Sequence, residues 1–153
     1  MSEEILLNDP QGAAARISVA EMTEVGRELV WVRQLNIQIE EIGYGTARLR
    51  LPTSTDNLRP GGTVSGPAMM TLADYAMYAA VLGAIGLVEL AVTTNLNINF
   101  LRKPPLGDIL ADCRLLKLGK RLAYGEVLLH SLTEGHDEPV AHCTTTYSIP
   151  PNR

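Results

Sequence analysis

The stretch Pro67-Ala68-Met69-Met70-Thr71-Leu72-Ala73-Asp74-Tyr75-Ala76-Met77-Tyr78-Ala79-Ala80-Val81-Leu82-Gly83-Ala84-Ile85 decides the architecture. It is rich in alanine, leucine and methionine, has no interior proline, and reads as one long helix. Pro67 stands at its start, where a missing N–H costs nothing, and Gly86 is a suitable stop. Apolar residues surround nearly its whole circumference, so it needs cover on most sides. Extended to Val88, the segment holds a single charge, Asp74, in 22 positions and approaches the length of a bilayer span. A bilayer is the weaker reading, because Asp74 near the middle would cost about 2.5–3.5 kcal/mol on insertion. No membrane partner is expected.

The cover is written on either side of the helix. Upstream, a period of two runs from Leu35 through Ile37 and Ile39, then resumes after Gly43 and Gly45 with Ala47, Leu49 and Leu51. Downstream, Val92, Thr94, Leu96, Ile98 and Phe100 alternate with Thr93, Asn95, Asn97 and Asn99, which predicts a strand with one buried side. Strand-like runs follow at about 109–118, 121–133 and 139–149, with turns at Lys117-Leu118-Gly119-Lys120 and Glu134-Gly135-His136-Asp137. Two strands, a long apolar helix and four strands predict an α+β chain of the hotdog type, an antiparallel sheet wrapped around one central helix. Residues 1–17 read as a loose arm. Ser18-Val19-Ala20-Glu21 has the spacing of a capping box and starts a short helix to about Leu29. The expected division is an N-terminal arm with a short helix over 1–30 and the hotdog region over 31–153, a single domain overall.

Bulk properties agree with one such domain. A chain of 153 residues, 46% hydrophobic and 20% charged, is ordinary globular protein. Its net charge of −4 argues against a nucleic-acid partner, which needs a basic surface. Cys113 and Cys143 sit in apolar, strand-like runs and are expected as reduced core thiols. Glu3 and Glu4 stand where a signal peptide carries basic charge, so a cytoplasmic location is expected. His130, His136 and His142 show no metal-ligand spacing, so no metal is expected.

Asp74 is the residue no local feature explains. Seven positions beyond Pro67, it lies past any capping role, and its i±3 and i±4 neighbours, Met70, Thr71, Met77 and Tyr78, carry no opposite charge. Either the Tyr75 or Tyr78 hydroxyl satisfies it structurally, or it is held in a pocket to activate water or attack a carbonyl. The preceding Gly61-Gly62-Thr63-Val64-Ser65-Gly66 lets a backbone approach a ligand closely and delivers the chain into a helix N-terminus. Such a terminus can stabilise a developing oxyanion, although a plain connecting turn has the same composition. Thr93 or Thr94 on the next strand can reach the site, or serve only strand propensity. Asn95, Asn97 and Asn99 on one face suit a polar interface or a ligand groove. Arg102-Lys103 and Lys117, Lys120 and Arg121 are local basic concentrations that suit phosphate contacts or a solvated turn.

These residues resemble the PaaI-like hotdog thioesterases, whose pattern is Gly-x-x-His-Gly-Gly followed by a helix carrying Leu-Ala-Asp. Here Gly62-Thr63-Val64-Ser65-Gly66-Pro67 precedes Leu72-Ala73-Asp74 at the family spacing, and the resemblance covers roughly residues 30–150. It implies acyl-CoA thioester hydrolysis with no cofactor beyond the CoA of the substrate, in a homodimer or homotetramer with active sites at the subunit interface. It further implies that the Gly66 N–H polarises the carbonyl, that Asp74 is base or nucleophile, and that Thr93 positions water. Ser65 stands at the family's histidine, Pro67 at its second glycine, and Arg59 where many relatives carry an asparagine near the thioester. Arg59, Asn95, Arg102, Lys103, Lys117, Lys120 and Arg121 are the expected substrate contacts. A hotdog hydratase is disfavoured because Ala79 stands five residues after Asp74, where that class carries histidine. A non-catalytic acyl-CoA binding module is the alternative that the missing histidine keeps open.

Overall fold

A computed structural model describes residues 13–54, 58–133 and 138–151. Two short helices, α1 (Val19–Arg27) and α2 (Val30–Leu35), precede strands β1 (Gln38–Gly43) and β2 (Thr46–Leu51). A two-residue hairpin, β3 (Leu58–Arg59) and β4 (Thr63–Val64), leads into the long helix α3 (Gly66–Ile85). Strands β5 (Val92–Phe100), β6 (Ile109–Leu118), β7 (Leu122–Ser131) and β8 (Ala141–Ser148) complete the chain. Six strands form one antiparallel sheet in the order β1-β2-β6-β7-β8-β5. This is the hotdog fold. The sheet alternates buried residues with more accessible ones along β2, β7, β8 and most of β6, and its inner face closes over α3. Fourteen of the twenty residues of α3 are buried, so its all-round apolar character is met by the sheet and needs no bilayer.

Contact with the sheet is closest at Gly83, where an added Cβ would lie 2.4 Å from the Gly43 carbonyl oxygen and 3.0 Å from Ile42. Because the obstacle is backbone, Gly83→Ala must move α3 away from β1. We expect a loss of about 1–3 kcal/mol in denaturant unfolding, the usual range for overpacking. An unchanged unfolding midpoint would show that the helix does not sit as described.

Three local expectations are corrected. Residues 1–12 and the turn 134–137 lie outside the described residues. Of the supposed arm, however, Ile17 is buried and the Arg16 N–H donates to the Gly83 carbonyl at 2.8 Å, so its end is part of the core. The capping box at Ser18 and Glu21 is present, yet α1 ends at Arg27 and a separate α2 runs to Leu35. Leu35 is therefore helical, and the strand begins after Asn36, which turns the chain with φ of 55°. In β5 a bulge between Thr93 and Asn95 breaks the alternation. Thr94 turns its hydroxyl to the Thr146 carbonyl, Thr93 comes to the helix side, and Val92 and Phe100 are left exposed.

Candidate active site

Asp74 lies half-buried on α3 and faces β5 and β8. Thr93 and Tyr147 are directly paired across those two strands, and both hydroxyls point at the carboxylate. Thr93 Oγ1 donates to Asp74 Oδ1 at 2.7 Å, and the Tyr147 hydroxyl donates to the same oxygen at 2.9 Å. Tyr147 also lies 3.1 Å from the Asp74 carbonyl oxygen, a second acceptor that ties the phenol to the helix backbone. An ionised carboxylate only accepts hydrogen bonds, so both hydroxyl protons are committed to it. Burial, and then the Asp74 charge, push the Tyr147 hydroxyl well above its ordinary pKa, which keeps it a donor. Among the described residues, Asp74 Oδ2 has no protein partner. Asp74 lines a groove of about 360 Å³ together with Trp31, Met70, Thr71, Thr93 and Leu96.

Tyr75 and Tyr78, the partners that a purely structural role would have given Asp74, do not serve it. Tyr75 donates to the Met22 carbonyl at 3.1 Å and Tyr78 to the Glu89 carbonyl at 2.8 Å. Burial raises both phenols, Tyr78 to about 12. Their rings form a packed series, Tyr75 against Tyr78 at 6.3 Å and Tyr78 stacked on Tyr147 at 6.0 Å between centroids. Tyr147 was missed by sequence reasoning. Its one signal is an aromatic hydroxyl in the alternating run Thr144-Thr145-Thr146-Tyr147, at a position that faces the core.

The other half of the machinery is at the start of α3. Ser65 is the N-cap, its hydroxyl oxygen accepting from the Ala68 N–H at 3.2 Å, and its carbonyl receives the Met69 N–H. Pro67 has no N–H to offer. The first-turn donor left without an intrahelical acceptor is therefore Gly66 N–H. Phe100 lies against Gly66, and an added Cβ would come to 3.4 Å from its ring. Gly66 opens on a second groove, of about 650 Å³, shared with Thr63, Phe100, Arg102 and Lys103. Positive φ angles of 99° at Gly61 and 76° at Gly62 make the hairpin turn that forms its rim.

Within one chain these halves are apart. Eight residues of helix separate Gly66 from Asp74, a rise of roughly 12 Å. Arg102 and Lys103 follow the Phe100 end of β5, and Arg102 pairs with Glu138 at 2.7 Å. Lys117, Lys120 and Arg121 lie around the β6–β7 turn, whose Leu122 pairs with Ser148 and through it with Val92, at the far end of β5. Asn95, Asn97 and Asn99 are exposed along β5, an outer strand of the sheet. Arg59 pairs through its backbone with Thr63, and its side chain lies outside the described residues. Cys113 and Cys143 are buried free thiols, as expected, with burial pushing Cys143 up to about 12. His142 sits 3.1 Å from Glu126, away from Asp74, and His136 is outside the described residues.

The fold and family of this chain are shared with known proteins. The model of the thioesterase superfamily matches residues 61–136, which hold the glycine turn, α3 and β5 to β7. The solved structure of a protein named "putative thioesterase" from a Silicibacter species is 45% identical, covers 92% of this chain and 97% of its own, and superposes with a TM-score of 0.79. This chain belongs to the thioesterase superfamily. A protein named "putative esterase" from Saccharolobus solfataricus is 29% identical over 133 residues, 87% of this chain and 86% of that one. The PaaI protein of the Escherichia coli phenylacetic acid degradation operon, at 21% identity, shares the fold with a TM-score of 0.70, over 84% of this chain and 93% of its own. Thioester hydrolysis is thus the activity class of the superfamily. The substrate and the roles of individual residues are matters for the site itself.

Proposed function

We propose that this protein hydrolyses acyl-CoA thioesters at composite sites, each built from two copies of the chain. The observation that carries the reading is the Asp74 carboxylate, which lines a groove with Oδ1 held by two hydroxyl donors and Oδ2 without a protein partner among the described residues. Fixing one oxygen orients the other, and the open oxygen is available as a base toward water or as a nucleophile toward the thioester carbon. Thr93 Oγ1, its proton committed to Asp74, retains lone pairs that can accept from that water. Polarisation of the carbonyl requires an N–H on the opposite side of the carbon, and the Gly66 donor is too distant within one chain.

Two-fold pairing of β5 removes that distance. β5 is a nine-residue outer strand with Asn95, Asn97, Asn99 and Phe100 exposed, and such an edge needs a cover. Antiparallel pairing of two copies sets the Phe100 end of one β5 beside the Thr93 end of the other. Gly66 N–H, Arg102 and Lys103 then face the partner's Asp74, and Lys117, Lys120 and Arg121 come from that same second copy. Basic groups from both chains would hold the CoA phosphates. The two buried thiols suit a reducing cytoplasm.

In this reading Ser65 holds the loop rather than moving protons. Loss of the cap in Ser65→Ala should cost about 1 kcal/mol of stability and only a modest part of turnover. Ser65→His, which restores the family residue, should not raise turnover by orders of magnitude. A gain of about a hundredfold in Ser65→His would show a proton-transfer group to be missing, and would favour the acyl-CoA binding module. The broader test is release of free thiol from acyl-CoAs. Steady turnover is expected, and saturable binding without thiol release would overturn the proposal in favour of that module.

A further inference from the structure

The groove over Asp74 ends at a wall, and a second cavity lies behind it. That cavity, of about 350 Å³, is lined by Val32, Ile37, Ile39 and Tyr75 and, to a similar extent, by polar residues that include Arg27 and Arg33. Two pairs of consecutive residues make the wall. On α2, Trp31 faces the Asp74 groove and Val32 faces the rear cavity; on α3, Asp74 faces the groove and Tyr75 the rear cavity. The Trp31 and Tyr75 rings meet edge to face at 5.7 Å between centroids and close the gap between the helices. Tyr75 is anchored by its hydroxyl to Met22 and is almost fully buried, whereas Trp31 is 40% exposed. Trp31 is thus the half of the wall that can be removed without emptying the core. It lies outside residues 61–136, the span that the superfamily model matches.

Resting on the proposed hydrolysis, we infer that Trp31 is the specificity-determining residue that limits acyl length. The acyl group lies in the Asp74 groove against Trp31, Met70 and Leu96, and the indole ends it. Removing the indole joins the groove to the rear cavity, where Val32, Ile37, Ile39 and the Tyr75 ring accept further methylenes. Each methylene newly buried favours the complex by about fourfold.

The test compares wild type, Trp31→Leu and Trp31→Ala on butanoyl-, hexanoyl-, octanoyl- and decanoyl-CoA, reading kcat/KM for each. In parallel, calorimetry measures binding of the corresponding S-alkyl CoA thioethers, which cannot be hydrolysed. Trp31→Ala should raise the decanoyl-to-butanoyl ratio of kcat/KM by ~10-fold or more, with Trp31→Leu between, and the thioether affinities should follow the same order. A uniform change across all four chains in both variants would overturn the inference, as would flat thioether affinities. Were no acyl-CoA hydrolysed while the decyl thioether still gained on the butyl one in Trp31→Ala, the hydrolytic reading would fall and the wall would stand. Should Trp31→Ala not fold, Trp31→Leu in both assays decides the matter.

Discussion

Asp74→Asn should lower turnover by ~10²–10⁴-fold, the usual contribution of a general base, while the protein stays folded. The amide is nearly isosteric, and its carbonyl oxygen can still accept from Thr93 and Tyr147, so the hydrogen bonds at 2.7 and 2.9 Å have a replacement acceptor. What disappears is the negative charge, and with it the basic or nucleophilic oxygen facing the groove. Circular dichroism and the melting temperature should stay near wild type. An aggregated or strongly destabilised variant would mean that the carboxylate is held there for packing. Full activity on the best substrate would end the mechanism.

Gly66→Pro should cost ~10²–10³-fold in kcat, the typical effect of deleting one oxyanion donor. Proline is favoured at the first helical position, and Ser65 before it is already extended, with φ of −69° and ψ of 148°; the strain of a Cβ directly before Pro67 is shared by Gly66→Ala, which serves as the control. Gly66→Ala keeps the N–H and adds only a Cβ in ordinary contact with Phe100 at 3.4 Å. Its kcat measures the crowding alone. Equal losses in the two variants would assign the effect to crowding of the groove and remove the N–H from the mechanism.

The architecture was legible because the two periods in this chain are clean. A predominantly apolar run from Pro67 to Ile85 has one stable burial, and the alternation survives along β2, β7 and β8 and along β6 as far as the bulge between Leu115 and Lys117. The misreadings have physical causes of the same few kinds. α2 is only six residues long, and its last residue, Leu35, happens to fall in phase with Ile37 and Ile39. The β5 bulge inserts one residue without disturbing the composition, yet it decides that Thr93 rather than Thr94 meets Asp74. At the site, Asp74 stood out because nothing nearby in sequence could pair with it. Its actual partners are 19 and 73 residues away, and Tyr147 carried no mark beyond its place on a core-facing position. The separation of Gly66 from Asp74 could be counted along the helix. That their surroundings lie at opposite ends of an uncovered strand required the sheet order.

The central claim is that each site joins Asp74 of one copy to Gly66 of another, and mixed dimers test it most directly. Asp74→Asn and Gly66→Pro chains, each inactive alone, are co-expressed with different tags, purified through both, and assayed for thiol release. Every hybrid then contains one doubly damaged site and one intact site, so about half of wild-type activity per dimer is predicted for a two-fold assembly. If both groups act within a single chain, each hybrid site lacks one of them. The purified hybrids would then be as inactive as their parents, and the composite site would be contradicted.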